Sequence, residues 1–342
     1  MNDPVNFPTR AGRATPPEPS GQNGHPRAGP AYIRSLFTGV DGLRSGWSLL
    51  IFIALMAALI GGMSVLRGLA HIAPMQPGDG AEISPDFLLL NDFPLLIATA
   101  FVTVVMSRIE RRRVSVYGIG ARRALPDVFA GWLWGVACLS LLVLFLWRCG
   151  YLVFGSRLLS GAEIFRYGTI WLASFGLVGV CEEYLARGYL LFTLARGFAG
   201  LYAWLGQSRH SRTAGFWSAA LLLSTLFGLG HHSNPGESPV GLFSAALFSL
   251  LFCLAIWRTG SLWWAIGFHA SWDWAQSFLY GVGDSGYRVQ HHLLAALPVG
   301  PPLLSGGSAG TEGSIFMLGA FALATGIVLV TLPRTRSGVS DG

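Results

Sequence analysis

The 342-residue chain is 52% hydrophobic and only 12% charged, with a mean hydropathy of +0.52. Soluble domains carry about twice that charged fraction, so the composition excludes an ordinary soluble globular protein and points to a membrane. The net charge of +6 rests on 23 basic residues, all arginine; in so apolar a chain this excess sets membrane orientation rather than binding nucleic acid.

Residues 1–31 hold seven prolines and almost no large aliphatics, which predicts a disordered tail. No signal peptide is expected, because the first long apolar run begins near Trp47. Over residues 32–46, Ile33, Leu36, Phe37 and Val40 recur at helical spacing beside Arg34 and Arg44, predicting a short amphipathic helix on the membrane surface. Residues 47–333 then form one transmembrane domain. A bilayer core needs about 20 apolar residues per helix. Eight segments qualify, at roughly 47–66, 87–107, 128–147, 167–186, 214–232, 240–257, 262–280 and 313–332. The predicted fold class is therefore all-α, a polytopic transmembrane bundle. The four cysteines lie in or beside apolar runs without metal or redox spacing and read as small buried hydrophobes.

Arginine placement orients the bundle. With the N-terminus inside, the tail contributes five arginines, the loop "SRIERRRVSVYGIGARRALPD" six, and Arg196, Arg209, Arg212, Arg258, Arg334 and Arg336 complete 17 on the cytoplasmic side. Arg67, Arg148, Arg157, Arg166 and Arg288 are the five outside. Both termini are thus expected in the cytoplasm.

Intramembrane ionisable residues are functional candidates, because a charge at mid-bilayer costs roughly 2.5–3.5 kcal/mol on insertion scales. Three groups stand out. In "VCEEYLARGYLL", Glu183 and Arg187 are four apart on one helical face, while Glu182 lies about 100° round the axis and is free to point elsewhere. In "FGLGHHSNPG", Phe227 and His231 share a face, and Pro235 with Gly236 ends the helix just beyond. In "GFHASWDWAQ", a carboxylate at Asp273 is one turn from His269 and can fix its tautomer. Each has an ordinary structural reading: an ion network gluing helices, a histidine capping carbonyls, an internal His–Asp hydrogen bond. Occurring together on three spans, they would need three separate reasons for a buried polar cost.

The order EExxxR, FxxxH, HxxxN/D resembles the CPBP family of intramembrane proteases. This family is also called Abi or CAAX-protease self-immunity, and includes the Rce1-like type II CAAX prenyl endopeptidases. The resemblance covers roughly residues 165–281 and is similar to the bacterial branch of the family. It implies hydrolysis of a peptide bond in a membrane-associated substrate, in a multi-pass protein of the bacterial inner membrane. Carried over, Glu182 and His231 activate water, with Glu183 beside them, and His269 and Asp273 face the oxyanion; Arg187 and Phe227 support them. The family is read both as glutamate-dependent, with no cofactor, and as metallopeptidases, and Glu182, His231, His269 and Asp273 would also suit a divalent metal such as zinc. Prenyl endopeptidases carry Asn where this chain has Asp273. An ionised carboxylate can only accept, so Asp273 is expected to hold His269 in its donor tautomer, and CAAX substrates are put in doubt. Competing readings are a non-catalytic scaffold or bacteriocin-immunity-type factor, and an ion-coupled transporter, although no repeated halves are visible.

One geometric question stays open at this level. Straight helices put His231 near the outer end of the fifth span and Glu182 nearer the cytoplasmic end of the fourth. Either the fourth span continues as a helix towards Arg196, or the fifth starts below the membrane, or both tilt.

Overall fold

The structure, a computed structural model, describes residues 37–39, 42–72, 76–120, 123–206 and 208–333. The predicted tail lies outside these residues, as does much of the predicted surface helix. Within that stretch, β1 (Thr38–Gly39) and β2 (Gly42–Leu43) are extended and pair antiparallel, with a positive φ at Gly42, where a helix was expected.

Among the described residues six helices are long and apolar enough to cross a membrane: α1 (Ser45–Leu69), α2 (Pro85–Ile109), α3 (Ala124–Arg148), α4 (Ala162–Trp204), α5 (Ser211–Gly230, prolonged by a 3₁₀ turn His231–Ser233) and α6 (Pro239–Thr259). The other two predicted segments hold shorter helices, α7 (Trp263–Trp274, continued by a π turn Ala275–Leu279) and the apolar α8 (Met317–Thr331), neither long enough by itself to meet the spanning criterion. The chain is an integral membrane protein. Local chemistry sets the ends. Ser84 accepts from the Phe87 N–H and Ser238 from the Gly241 N–H, each ahead of a proline at the first helical position. Gly260, at φ 69°, closes α6 in the left-handed region.

The two departures from the predicted span lengths have physical causes. α4 runs for 43 residues, about twice the hydrocarbon thickness at about 1.5 Å per residue, because no glycine–proline stop follows Arg187. The fourth span therefore continues as a helix past Arg196, the first of the alternatives above, and Glu183 lies at the midpoint of α4. α7 is short because protein surrounds it, with Trp264, Phe268, Trp272 and Asp273 all buried. Lipid offers no hydrophobic drive between helices, so close backbone contact does the work. A Cβ at Gly135 of α3 would strike the Ser271 hydroxyl, and one at Gly267 of α7 would strike the Val128 carbonyl. Those glycines let α3 and α7 meet flush and lock α7 in place.

The inter-helix connections build a cap at one end of the bundle. β3 (Glu82–Ile83) pairs parallel with β5 (Arg288–Val289), and β4 (Leu152–Arg157) pairs antiparallel with β6 (Leu294–Pro298). Cys138, Cys181 and Cys253 are buried as predicted; Cys149, at the end of α3, is exposed.

Candidate active site

The site grows from the centre of α4. Glu183 is fully buried, and its Oε1 accepts from Arg187 Nη1 at 2.8 Å, the expected i, i+4 pair. The guanidinium is closed off by aromatic faces, its carbon 4.1 Å from the centroid of Phe227 and 5.7 Å from that of Phe252. Glu182, turned round the axis, keeps 30% of its side chain exposed and lines a cavity of about 770 Å³. A π turn, Tyr184–Leu190, follows directly; such turns recur at functional positions in helices.

α7 supplies the imidazole. α4 approaches it closely at Gly179, where a Cβ would meet Ala270 and the Ile266 carbonyl. This puts Glu183 Oε1 2.9 Å from His269 Nδ1, which must carry the proton because a carboxylate only accepts. His269 Nε2 then faces Asp273 Oδ2 at 3.4 Å and Glu182 Oε2 at 3.8 Å. The predicted His269–Asp273 contact is present, but the tautomer is held by Glu183. The i, i+4 spacing gave Asp273 reach, and the α4–α7 packing gave Glu183 the shorter contact to the opposite nitrogen.

His231 begins the 3₁₀ turn that ends α5. Its Nδ1 donates to the Phe227 carbonyl at 2.8 Å, which leaves Nε2 as the unsubstituted nitrogen. The Phe227 ring lies against Arg187, His231 (4.9 Å between centroids) and His269 (6.4 Å), so it spaces three of the candidate groups. Glu182, His231, His269 and Asp273 all line the one cavity, bounded by α2, α4, α5, α6, α7 and the cap. Among the described residues no direct ion pair joins His231 to Glu182.

Three further acids line the cavity that the sequence reading did not single out: Asp92 on α2, and Asp284 and Glu312 in the cap. Asp92 had a signal, being an ionisable residue inside a predicted span. The other two had none, since they lie in loops 28 residues apart. Oxygens of Asp273, Asp284 and Glu312 come within 4.8 Å of one another. Asp284 accepts from the Ser277 hydroxyl and Glu312 from that of Ser285, each at 3.0 Å. Burial, and then the Asp273 carboxylate, push Asp284 well above the usual carboxylate range; burial, and then Asp284, do the same to Glu312.

Of the four residues the sequence offers to a zinc, His269 has Asp273 at 3.4 Å and Glu182 at 3.8 Å, while among the described residues no ion pair brings His231 to them. Zinc ligands sit about 2.0–2.2 Å from the ion and hence close to one another. Among the described residues, Asp273, Asp284 and Glu312 are the group that draws together, an all-oxygen set lacking both histidines.

The fold and site define a polytopic helical membrane protein with a carboxylate–imidazole centre inside its bundle. Residues 166–275 match the protein-family model described as Type II CAAX prenyl endopeptidase Rce1-like. This bears out the resemblance to the Rce1-like family, though not to any branch of it, over the segment that carries all three motifs. No curated protein and no solved structure matches the chain.

Proposed function

We propose that this chain is an intramembrane endopeptidase that hydrolyses a peptide bond of a membrane-associated protein or peptide, with Glu182 as the general base. The observation that supports it is the division of labour in the glutamate pair: Glu183 is consumed by Arg187 and His269, while Glu182 faces the cavity with no hydrogen-bond donor of its own among the described residues. Water between Glu182 and His231 Nε2 gives its proton to Glu182 as its oxygen attacks the scissile carbonyl carbon. The carbonyl π electrons move to oxygen. His269, with Nδ1–H committed to Glu183, presents Nε2–H to that oxyanion as imidazolium, and Asp273 steadies the imidazolium from the same side. Collapse breaks the C–N bond, and Glu182 passes its proton to the leaving amine. No step requires a metal.

The proposed setting is a bacterial inner membrane with both termini cytoplasmic. Arg44, Arg108, Arg123, Arg196, Arg212 and Arg258 all fall at the helix ends opposite the cap, which supports that orientation. The cap residues that line the cavity would then lie on the outer side. The test is cleavage of quenched fluorescent, membrane-inserted peptides by liposome-reconstituted protein. Glu182→Gln is expected to abolish cleavage with unchanged melting, and cleavage at the parent rate would overturn the assignment.

A further inference from the structure

At the end of the bundle opposite the cap, a second cavity of about 570 Å³ lies between the β1–β2 pair, the first turn of α1 and the distal part of α4. Arg44 and Arg196 line it, and among the described residues no carboxylate does. Much of the remaining wall is glycine: Gly39, Gly42 and Gly46 on one side, Gly197 and Gly200 of α4 on the other. A Cβ at Gly42, Gly46 or Gly200 would meet nothing within 4 Å, so these positions leave room and bring backbone within reach of an occupant.

Arg196 is prepared for an anion. Its Nε donates to Ser45 Oγ at 3.2 Å, and its Nη2 to Ser48 Oγ at 3.3 Å and Glu110 Oε1 at 3.4 Å, which fixes the guanidinium. Its Nη1 is buried and has no hydrogen-bond partner. A donor left so is costly, and an acceptor oxygen at the cavity wall would relieve it. Glu110 does not cancel the charge, because Arg112 Nε shares the same carboxylate at 3.6 Å. The wall is therefore positive, and a phosphate is the kind of oxyanion that a guanidinium fork fits.

The place of the cavity says which phosphate. Ser45 begins α1 and Glu110 closes α2, so the cavity lies level with the ends of two spanning helices, where a bilayer carries its headgroups. Leu43, Leu201 and Trp204 complete the lining, with Trp204 81% exposed, and Trp47 in the first turn of α1 packs beside Phe37. Aromatic rings at this level belong to a membrane interface. The apolar rim suits the glycerol and upper acyl chains of a lipid, and an inorganic ion gains nothing from it. A zwitterionic headgroup would bring an ammonium to a wall of arginines.

We propose that this cavity binds the phosphate of an anionic membrane phospholipid, held between Arg44 and Arg196 with its glycerol end against Leu43, Leu201 and Trp204. Basic pockets between helix ends are a recurring means of lipid recognition. The bound lipid joins the start of α1 to the part of α4 beyond Arg196, and its binding does not depend on the endopeptidase reading.

The test is native mass spectrometry of the full chain, delipidated in detergent and titrated with phosphatidylglycerol, with phosphatidylcholine of the same acyl chains, or with inorganic phosphate. Phosphatidylglycerol is expected to bind at least about fivefold more tightly than phosphatidylcholine, and excess inorganic phosphate should leave it bound. Arg44→Gln should weaken that binding about fivefold. Gly200→Leu keeps both arginines but fills the cavity, and should weaken binding at least as much with the lipid-free melting temperature unchanged. Arg123→Gln removes a charge from the same end of the bundle, at a side chain 71% exposed, and should change binding less than about twofold. Equal affinity for the two lipids, or equal losses in Arg44→Gln and Arg123→Gln, overturns the site in favour of the general attraction of a basic surface. Unchanged binding in Gly200→Leu overturns the cavity as its location, and displacement by inorganic phosphate overturns the lipid as its occupant.

Discussion

Two acidic side chains in this protein, Glu110 and Asp273, are each 7% exposed, yet their surroundings are opposite. Glu110, at the end of α2 away from the cap, is surrounded by donors: Tyr189 and Tyr117 hydroxyls at 2.8 and 3.3 Å, Arg196 Nη2 at 3.4 Å and Arg112 Nε at 3.6 Å. Arg196 is itself tied to Ser45 and Ser48, so the network joins α1, α2 and α4. Asp273 has no donor within hydrogen-bond geometry and faces a cavity with Glu182 and two more carboxylates. Several donors around Glu110 hold helices together, whereas Asp273 at the cavity wall leans on the His269 imidazole alone. Burial alone does not separate the two, but the count of donors does.

The contrast can be broken in several places. The largest effect should come from Glu182→Gln, which removes the base but keeps the shape. Its cleavage rate should fall about 10³-fold, at the middle of the range for a positioned base, with the melting temperature in detergent unchanged. Arg187→Ala should do the reverse. It strands Glu183 as an uncompensated buried charge, costing about 3–5 kcal/mol, and would be seen as a loss of folded yield on size-exclusion chromatography.

Glu110→Gln tests the satisfied carboxylate. Weakening its contacts to two guanidiniums should cost about 1–3 kcal/mol in stability, while cleavage per folded molecule stays within about twofold of the parent. If activity fell with stability intact, Glu110 would belong with the site and the contrast would fail. Asp273→Asn should be milder, within about tenfold of parent activity, because Glu183 rather than Asp273 holds the His269 tautomer. Stoichiometric zinc in the purified parent, lost together with activity in Asp273→Asn, would replace the glutamate mechanism with a metal one.

The smallest effect concerns pH. Burial and Asp284 hold the Glu312 carboxyl well above its ordinary value, so the folded state binds that proton more tightly than the unfolded state. Stability is then present below the ordinary carboxylate range, about pH 4, and is lost as pH rises above it. Glu312→Gln removes that contribution. Its melting temperature relative to the parent should rise steadily from about pH 4 to pH 8, and a flat difference would count against the crowding of carboxylates in the cap.

The amino-acid sequence determined what depends on neighbours along one helix. Hydropathy located the six long apolar helices and α8, since a lipid-facing helix must satisfy its own backbone hydrogen bonds whatever surrounds it. The 3.6-residue period put Glu183 beside Arg187 and turned Glu182 away, and it placed Asp273 within reach of His269. Tertiary structure decided what depends on distance across the chain. Glu183 meets His269 86 residues away because Gly179 lets α4 and α7 approach. Asp284 and Glu312 join Asp273 from loops with no periodic signal, and the 12 α-helical residues of α7 suffice because protein, not lipid, covers it. Helix periodicity is a local property that one strand of sequence carries by itself. The charge of a cavity is a sum over elements, and only their packing sets which terms enter it.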